Sequence, residues 1–125
     1  MTTVVDTSVM IDVLRGESAA VRVLAEARGR GLLHASEISR VEVLAGMRAG
    51  EEEATRRLLS VFVWHPLDEA NAELAAELGR RWLPGNGGID AADLVIAATA
   101  MSVGGPLLTR NVRHFPMFEG LTTPY

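Results

Sequence analysis

Cysteine is absent from this chain of 125 residues. No disulfide, thiolate zinc site or cysteine nucleophile can operate, and the lack of thiols fits a reducing compartment. Lysine is absent too: all twelve basic residues are arginine. Arginine presents a planar fork suited to phosphate, though most of these arginines read as surface charges. Aromatic residues make up only 5%, and Trp64 and Trp82 read as packing residues rather than base-stacking platforms. Long apolar runs are missing. The longest, near Leu94–Met101, is too short to cross a hydrocarbon core of about 30 Å. Met1-Thr2-Thr3 carries no basic stretch and opens no signal-peptide run. A soluble, cytoplasmic protein with no membrane partner is expected. No repeat, low-complexity tract or linker interrupts the chain, so residues 1–125 are expected to form one domain. The net charge of −4 argues at first against a nucleic-acid partner. It also follows if several acids gather in one pocket.

Four carboxylates stand in or beside strongly apolar stretches: Asp6 after Val4-Val5, Glu42 between Val41 and Val43-Leu44-Ala45, and Asp90 and Asp93 ahead of Leu94-Val95-Ile96-Ala97-Ala98. A carboxylate near a core is costly unless a cation offsets it. A metal ion is the simplest cation able to serve several at once. All-oxygen donors without thiolate suit Mg²⁺ or Mn²⁺ rather than zinc. Such ions bind phosphate oxygens and activate water. The expected chemistry is hydrolysis of a phosphodiester.

The pattern of elements supports convergence of these acids. Strands are expected over Thr3–Asp6, Leu32–Ala35, Val61–Trp64, Leu107–Thr109 and Leu121–Thr123. Between them lie helices. The first runs to Leu14, capped by Thr7 or Ser8. Others cover Ser18–Arg28, Glu37–Ala49 stopped by Gly50, Glu51–Ser60, a long helix after Asp68 ending near Trp82, and Asp90 through Ser102. Strands alternating with helices imply an α/β fold with a mostly parallel sheet covered on both faces. In such sheets the functional crevice lies at the carboxyl ends of the strands, where Asp6 and Thr109 fall. Asp90 and Asp93 share a helical face, and a capping box there is compatible with a role in the crevice. Glu42 can face a metal, or can be solvated and paired with Arg40 or Arg48. Asn111 can bond a phosphate oxygen or simply form a turn. His114 reads as structural or exposed. The Gly85-Asn86-Gly87-Gly88 segment follows a helix, so it reads as a flexible loop rather than a phosphate cradle.

Four blocks carry a family resemblance: Val4-Val5-Asp6-Thr7-Ser8, Ser39-Arg40-Val41-Glu42-Val43-Leu44-Ala45-Gly46, Asp90 through Ala100, and Leu108-Thr109-Arg110-Asn111-Val112-Arg113-His114-Phe115. In order and spacing the chain resembles PIN-domain ribonucleases, specifically the VapC toxins of VapBC toxin–antitoxin pairs. The resemblance implies a PIN-like three-layer sandwich, with a central sheet of about five short strands. It implies catalytic and metal-binding roles for Asp6, Glu42 and Asp93, with Asp90 as a further ligand and Thr7, Thr109 and Asn111 in support. Asn111 stands where the general pattern often has a fourth acid, which suggests one tightly bound ion, with another arriving with substrate. Also implied are Mg²⁺- or Mn²⁺-dependent cleavage of RNA such as tRNA or rRNA, a homodimer, and a VapB-type antitoxin through which alone DNA is contacted.

Other readings fit less well. A receiver domain needs a lysine, and a haloacid-dehalogenase-like phosphatase needs Asp-x-Asp where this chain has Asp6-Thr7-Ser8. A catalytically degenerate PIN domain acting only as an RNA- or protein-binding module is the non-enzyme alternative.

Overall fold

The computed structural model describes residues 2–125. Strand β1 (Thr2–Val5) leads into α1 (Thr7–Leu14) and α2 (Ser18–Arg30), followed by β2 (Leu32–Ser36), α3 (Glu37–Ala45) and α4 (Glu52–Leu59). Then come β3 (Phe62–His65), α5 (Glu69–Trp82), α6 (Ala91–Val103), β4 (Leu107–Leu108) and one 3₁₀ turn over Val112–His114. The four strands are all parallel, in the order β3-β2-β1-β4. The expected α/β architecture with a parallel sheet is therefore present.

Side-chain alternation along the strands creates two cores. Val5, Leu33, Ala35 and Phe62 face α1 to α4, where Val9, Met10, Leu24, Val43 and Leu59 meet them. Val4 and Leu107 face the other way, toward α5, α6 and Phe115. Helix α6 is buried at every position from Asp93 to Ala100, as befits a helix that is apolar all round and packed between layers. Each large aliphatic side chain buried there contributes about 1.5–3 kcal/mol. Its close approach to α5 depends on Gly79, where an added Cβ would stand 3.0 Å from Leu94 Cδ1. Gly104, in the left-handed conformation at φ 77°, ends the helix.

Three expectations need correction. Leu121–Thr123 forms no strand. The tail is instead anchored by side chains, with Leu121 packed against the α5–α6 core and Tyr125 against the other. Pro124 has no N–H to donate to a ladder. Helix α3 stops at Ala45 rather than Ala49: Gly46 is its C-cap, and Met47 N–H bonds to the Leu44 carbonyl, tightening the last turn. Gly50, at φ 84°, belongs to the turn before α4. Finally, neither Thr7 nor Ser8 caps α1. Asp6 occupies that position without a side-chain capping bond.

Among the described residues, no helix is long and apolar enough to cross a membrane.

Candidate active site

Strand pairing sets the first half of the site. Val5 is in register with Leu108, and Asp6 N–H bonds to the Leu108 carbonyl at 2.9 Å. Asp6 and Thr109 therefore leave the sheet side by side at its carboxyl end. The Asp6 side chain is only 3% exposed. Its Oδ2 accepts from Thr109 Oγ1 at 2.7 Å and from Ser8 Oγ at 2.8 Å. These two hydroxyls in turn accept backbone N–H groups of the following loop, Asn111 to Thr109 at 2.9 Å and Arg110 to Ser8 at 3.1 Å. No hydrogen bond reaches Asp6 Oδ1 among the described residues. One carboxylate oxygen is thus fixed, while the other keeps its acceptor capacity.

Glu42 is held from the neighbouring position. Thr7 Oγ1 lies 2.7 Å from Glu42 Oε1 and 2.8 Å from Ser39 Oγ. A hydroxyl has one proton, so the self-consistent relay has Ser39 donating to Thr7 and Thr7 donating to Glu42. Ser39 precedes Glu42 by three residues and so shares its face of α3. Of the two expected partners, Arg40 pairs with Glu37 at 2.9 Å and stacks over Trp64, and Arg48 makes no ion pair with Glu42.

Asp90 and Asp93 form the anticipated capping box at the start of α6. Asp93 N–H donates to Asp90 Oδ1 at 2.8 Å, and Asp90 N–H donates to Asp93 Oδ2 at 3.1 Å. Asp90 is exposed, whereas Asp93 is 8% exposed. Burial pushes the Asp93 carboxyl up to about 6. The Asp90 N–H bond opposes that rise, the Asp90 charge adds to it and His114 opposes it. His114 Nδ1 lies 3.1 Å from Asp93 Oδ2, so this histidine is a partner of the acid rather than a bystander.

The segment Thr109–His114 ties the halves together, touching Asp6 through Thr109 and Asp93 through His114. Helix α6 also packs against both β1 and α3. Three carboxylates expected from the sequence thus stand on elements that meet at one end of the sheet. They do not form a ready-made cage: among the described residues, no three His, Asp or Glu side chains are gathered closely enough to hold an ion unaided. The donor chemistry nonetheless fits a hard divalent cation. Every candidate ligand is oxygen, Asp6 has a spare oxygen, and Asp93 is a buried carboxyl whose ionised form lacks a full counter-charge. Mg²⁺ is commonly held by one or two carboxylates with water completing its shell.

Sequence reasoning passed over Ser8 and Ser39 as site residues. Ser39 was findable from its three-residue offset to Glu42. The Asn111 side chain is exposed, and its backbone N–H makes the structural contact. Gly88 adjoins the site: at φ 94°, an added Cβ there would lie 3.7 Å from His114 Nε2.

The all-parallel sheet, with Asp6 and Thr109 at its carboxyl end, places the chain in the α/β class, and residues 3–118 match the family model described as PIN domain. The chain belongs to the PIN-domain family. Among its relatives is ribonuclease VapC19 of Mycobacterium tuberculosis, 46% identical over 122 residues that span 97% of this chain and 98% of that protein. Ribonuclease VapC10 of the same organism is 41% identical over 121 residues, covering 97% of this chain and 91% of that one. Among solved structures, a toxin–antitoxin complex from Klebsiella pneumoniae superposes with a TM-score of 0.84 at 28% identity, covering 98% of both chains. VapBC2 from Rickettsia felis, bound to a DNA fragment from its promoter, shares the fold at TM-score 0.77 and 18% identity, over 98% of this chain and 97% of that one.

Proposed function

We propose that this protein is a VapC-type toxin: a single-domain endoribonuclease over residues 1–125 that hydrolyses RNA phosphodiester bonds with Mg²⁺ or Mn²⁺. The observation that carries the reading is the bridging of Asp6 and Asp93 by one segment, Thr109–His114, in a chain similar over nearly its whole length to named ribonucleases.

In this reading Asp6, Glu42 and Asp93 would hold the ion, and Asp90 is first a helix cap. When bound, the ion supplies Lewis-acid polarisation of the phosphate and a more acidic water. The protein's own contribution is positional. Ser8 and Thr109 lock the Asp6 carboxylate, so that its free oxygen has one orientation. Ser39 and Thr7 do the same for Glu42. Burial pushes the Asp93 carboxyl up, so its ionised form would be stabilised by a cation placed beside it. Fixed oxygens need little reorganisation as charge develops on the phosphate.

The partners follow from the family. A VapB-type antitoxin occludes the site, DNA is contacted through that antitoxin, and the toxin is a homodimer acting in the cytoplasm on structured RNA such as tRNA or rRNA. A binding-only PIN domain is not favoured, because Asp6, Glu42 and Asp93 are all present and Asp6 and Glu42 are held by hydroxyl donors.

The test is cleavage of total RNA with and without EDTA, comparing wild type with Asp6→Asn. Cleavage is expected to need both the divalent ion and Asp6. Cleavage that survives both changes overturns the metal mechanism.

A further inference from the structure

RNA is a polyanion, and the carboxylates Asp6, Glu42, Asp90 and Asp93 repel it. Cations must therefore stand close by, and the chain's overall charge of −4 shows that they are not supplied by a generally basic surface. The segment leaving β4 carries two, Arg110 and Arg113. A recess of about 100 Å³ is lined by Arg110, Asn111, Val112, Arg113 and His114. It opens next to the acids, since His114 touches Asp93 and Thr109, one residue ahead of the recess, touches Asp6.

The two arginines differ in how their charge is used. Arg110 Nη1 donates to Asp12 Oδ2 at 2.8 Å, and its guanidinium lies over the Tyr125 ring at 5.0 Å. Tyr125 OH donates to the same Asp12 oxygen at 2.7 Å. Arg110 is therefore fixed in direction and partly neutralised. Arg113 is exposed and makes no hydrogen bond or ion pair among the described residues. Its backbone is nevertheless held, because the 3₁₀ turn is closed by His114 N–H to the Asn111 carbonyl at 2.9 Å. A free guanidinium on a pinned turn beside a hydrolytic site is suited to bidentate capture of a phosphate.

We propose that this recess is a phosphate subsite of the RNA substrate, in which Arg113 clamps a backbone phosphate flanking the scissile bond and Arg110, steadied by Asp12 and Tyr125, orients the turn. The proposal rests on the ribonuclease reading of the adjacent acids. It assigns Arg113 to substrate binding and Asp12 and Tyr125 to positioning.

The experiment measures binding separately from cleavage. A fluorescein-labelled single-stranded RNA oligonucleotide is titrated in EDTA, by fluorescence anisotropy, over a range of salt concentrations. Each phosphate neutralised on a single strand adds about 0.7 to the slope of log affinity against log salt. Arg113→Ala is expected to lower affinity about five- to tenfold and to flatten the slope by about one phosphate. Arg113→Lys is expected to keep the slope while losing part of the affinity. Tyr125→Phe, with the phenol removed from Asp12, is expected to cause a smaller loss with the slope retained. Arg22→Ala, exposed on α2 and not among the residues lining the recess, serves as the control, and far-UV circular dichroism checks folding. If wild type cleaves RNA while Arg113→Ala keeps both affinity and slope, the subsite is overturned and the nuclease reading stands. If wild type neither binds nor cleaves RNA, both fall.

Discussion

Asp6 and Asp93 are the same chemical group at nearly the same depth, 3% and 8% exposed, yet their surroundings hold them in different ways. Asp6 is fixed by two neutral hydroxyls, Ser8 and Thr109, which keep their character across the ordinary pH range. Asp93 is fixed by a backbone N–H and faced by an imidazole, both on the side of Oδ2. Hydroxyls arranged around a carboxylate give it permanent orientation. Asp93 itself changes its setting as its own carboxyl gains or loses a proton, since burial pushes it up to about 6. One half of the site is mechanically set and the other is electrostatically adjustable.

The comparison can be broken most decisively at Asp6. Replacing Asp6 with Asn keeps the shape but removes the charge, and kcat/KM for RNA cleavage should fall about 100-fold or more, the scale seen when a preorganised electrostatic contact is lost. Thr109→Val should come next. It removes a fully buried donor to a carboxylate, so a urea titration should show a loss of about 1.5–3 kcal/mol, accompanied by weaker cleavage as Asp6 loosens. On the other half, Asp90→Ala removes the cap of α6 and should cost about 1 kcal/mol. If Asp90→Ala instead abolishes cleavage with stability intact, it is a ligand rather than a cap.

The comparison is sharpened further through pH. The Asp93 carboxyl lies near 6 in the folded chain against 3.8 for the ordinary group. Its folded value is the higher one, so its stabilising contribution is fully present below 3.8 and is lost as pH rises through about 6. Thermal melts in EDTA should show wild type losing stability across that window. Asp93→Asn should show a flatter profile there and should be the more stable protein at neutral pH. A wild-type profile as flat as that of the variant would mean that Asp93 is better solvated than its burial indicates.

Much of this was legible in the sequence because the relevant physics is local. Val4-Val5 ahead of Asp6 marks a strand end, and Asp90 and Asp93 three residues apart mark a helix start. Both readings need only neighbours in the chain. Glu42 was legible as an acid on an apolar helix, but not its partner. The bond from Thr7 crosses 35 positions, and an arginine two residues from Glu42 was the more obvious candidate until Arg40 turned to Glu37 and Trp64. The three-residue offset puts Ser39 on the face of Glu42, but the relay itself was hidden because it passes through Thr7, 32 positions from Ser39. The tail misled because Leu121-Thr122-Thr123 has strand-like composition, while side-chain anchors and Pro124 decided its conformation.

The register of β1 has a consequence for biosynthesis. Its partners in the sheet are β2, which begins at Leu32, and β4, which begins at Leu107. A ribosome must therefore deliver a further 103 residues before Asp6 gains Thr109 as a neighbour. Contacts of such long sequence separation form late and slowly. A nascent or prematurely ended chain lacking Thr109 carries the first acid without the group that steadies it. The assembled acidic centre then exists only once translation has passed β4 and the segment that follows it.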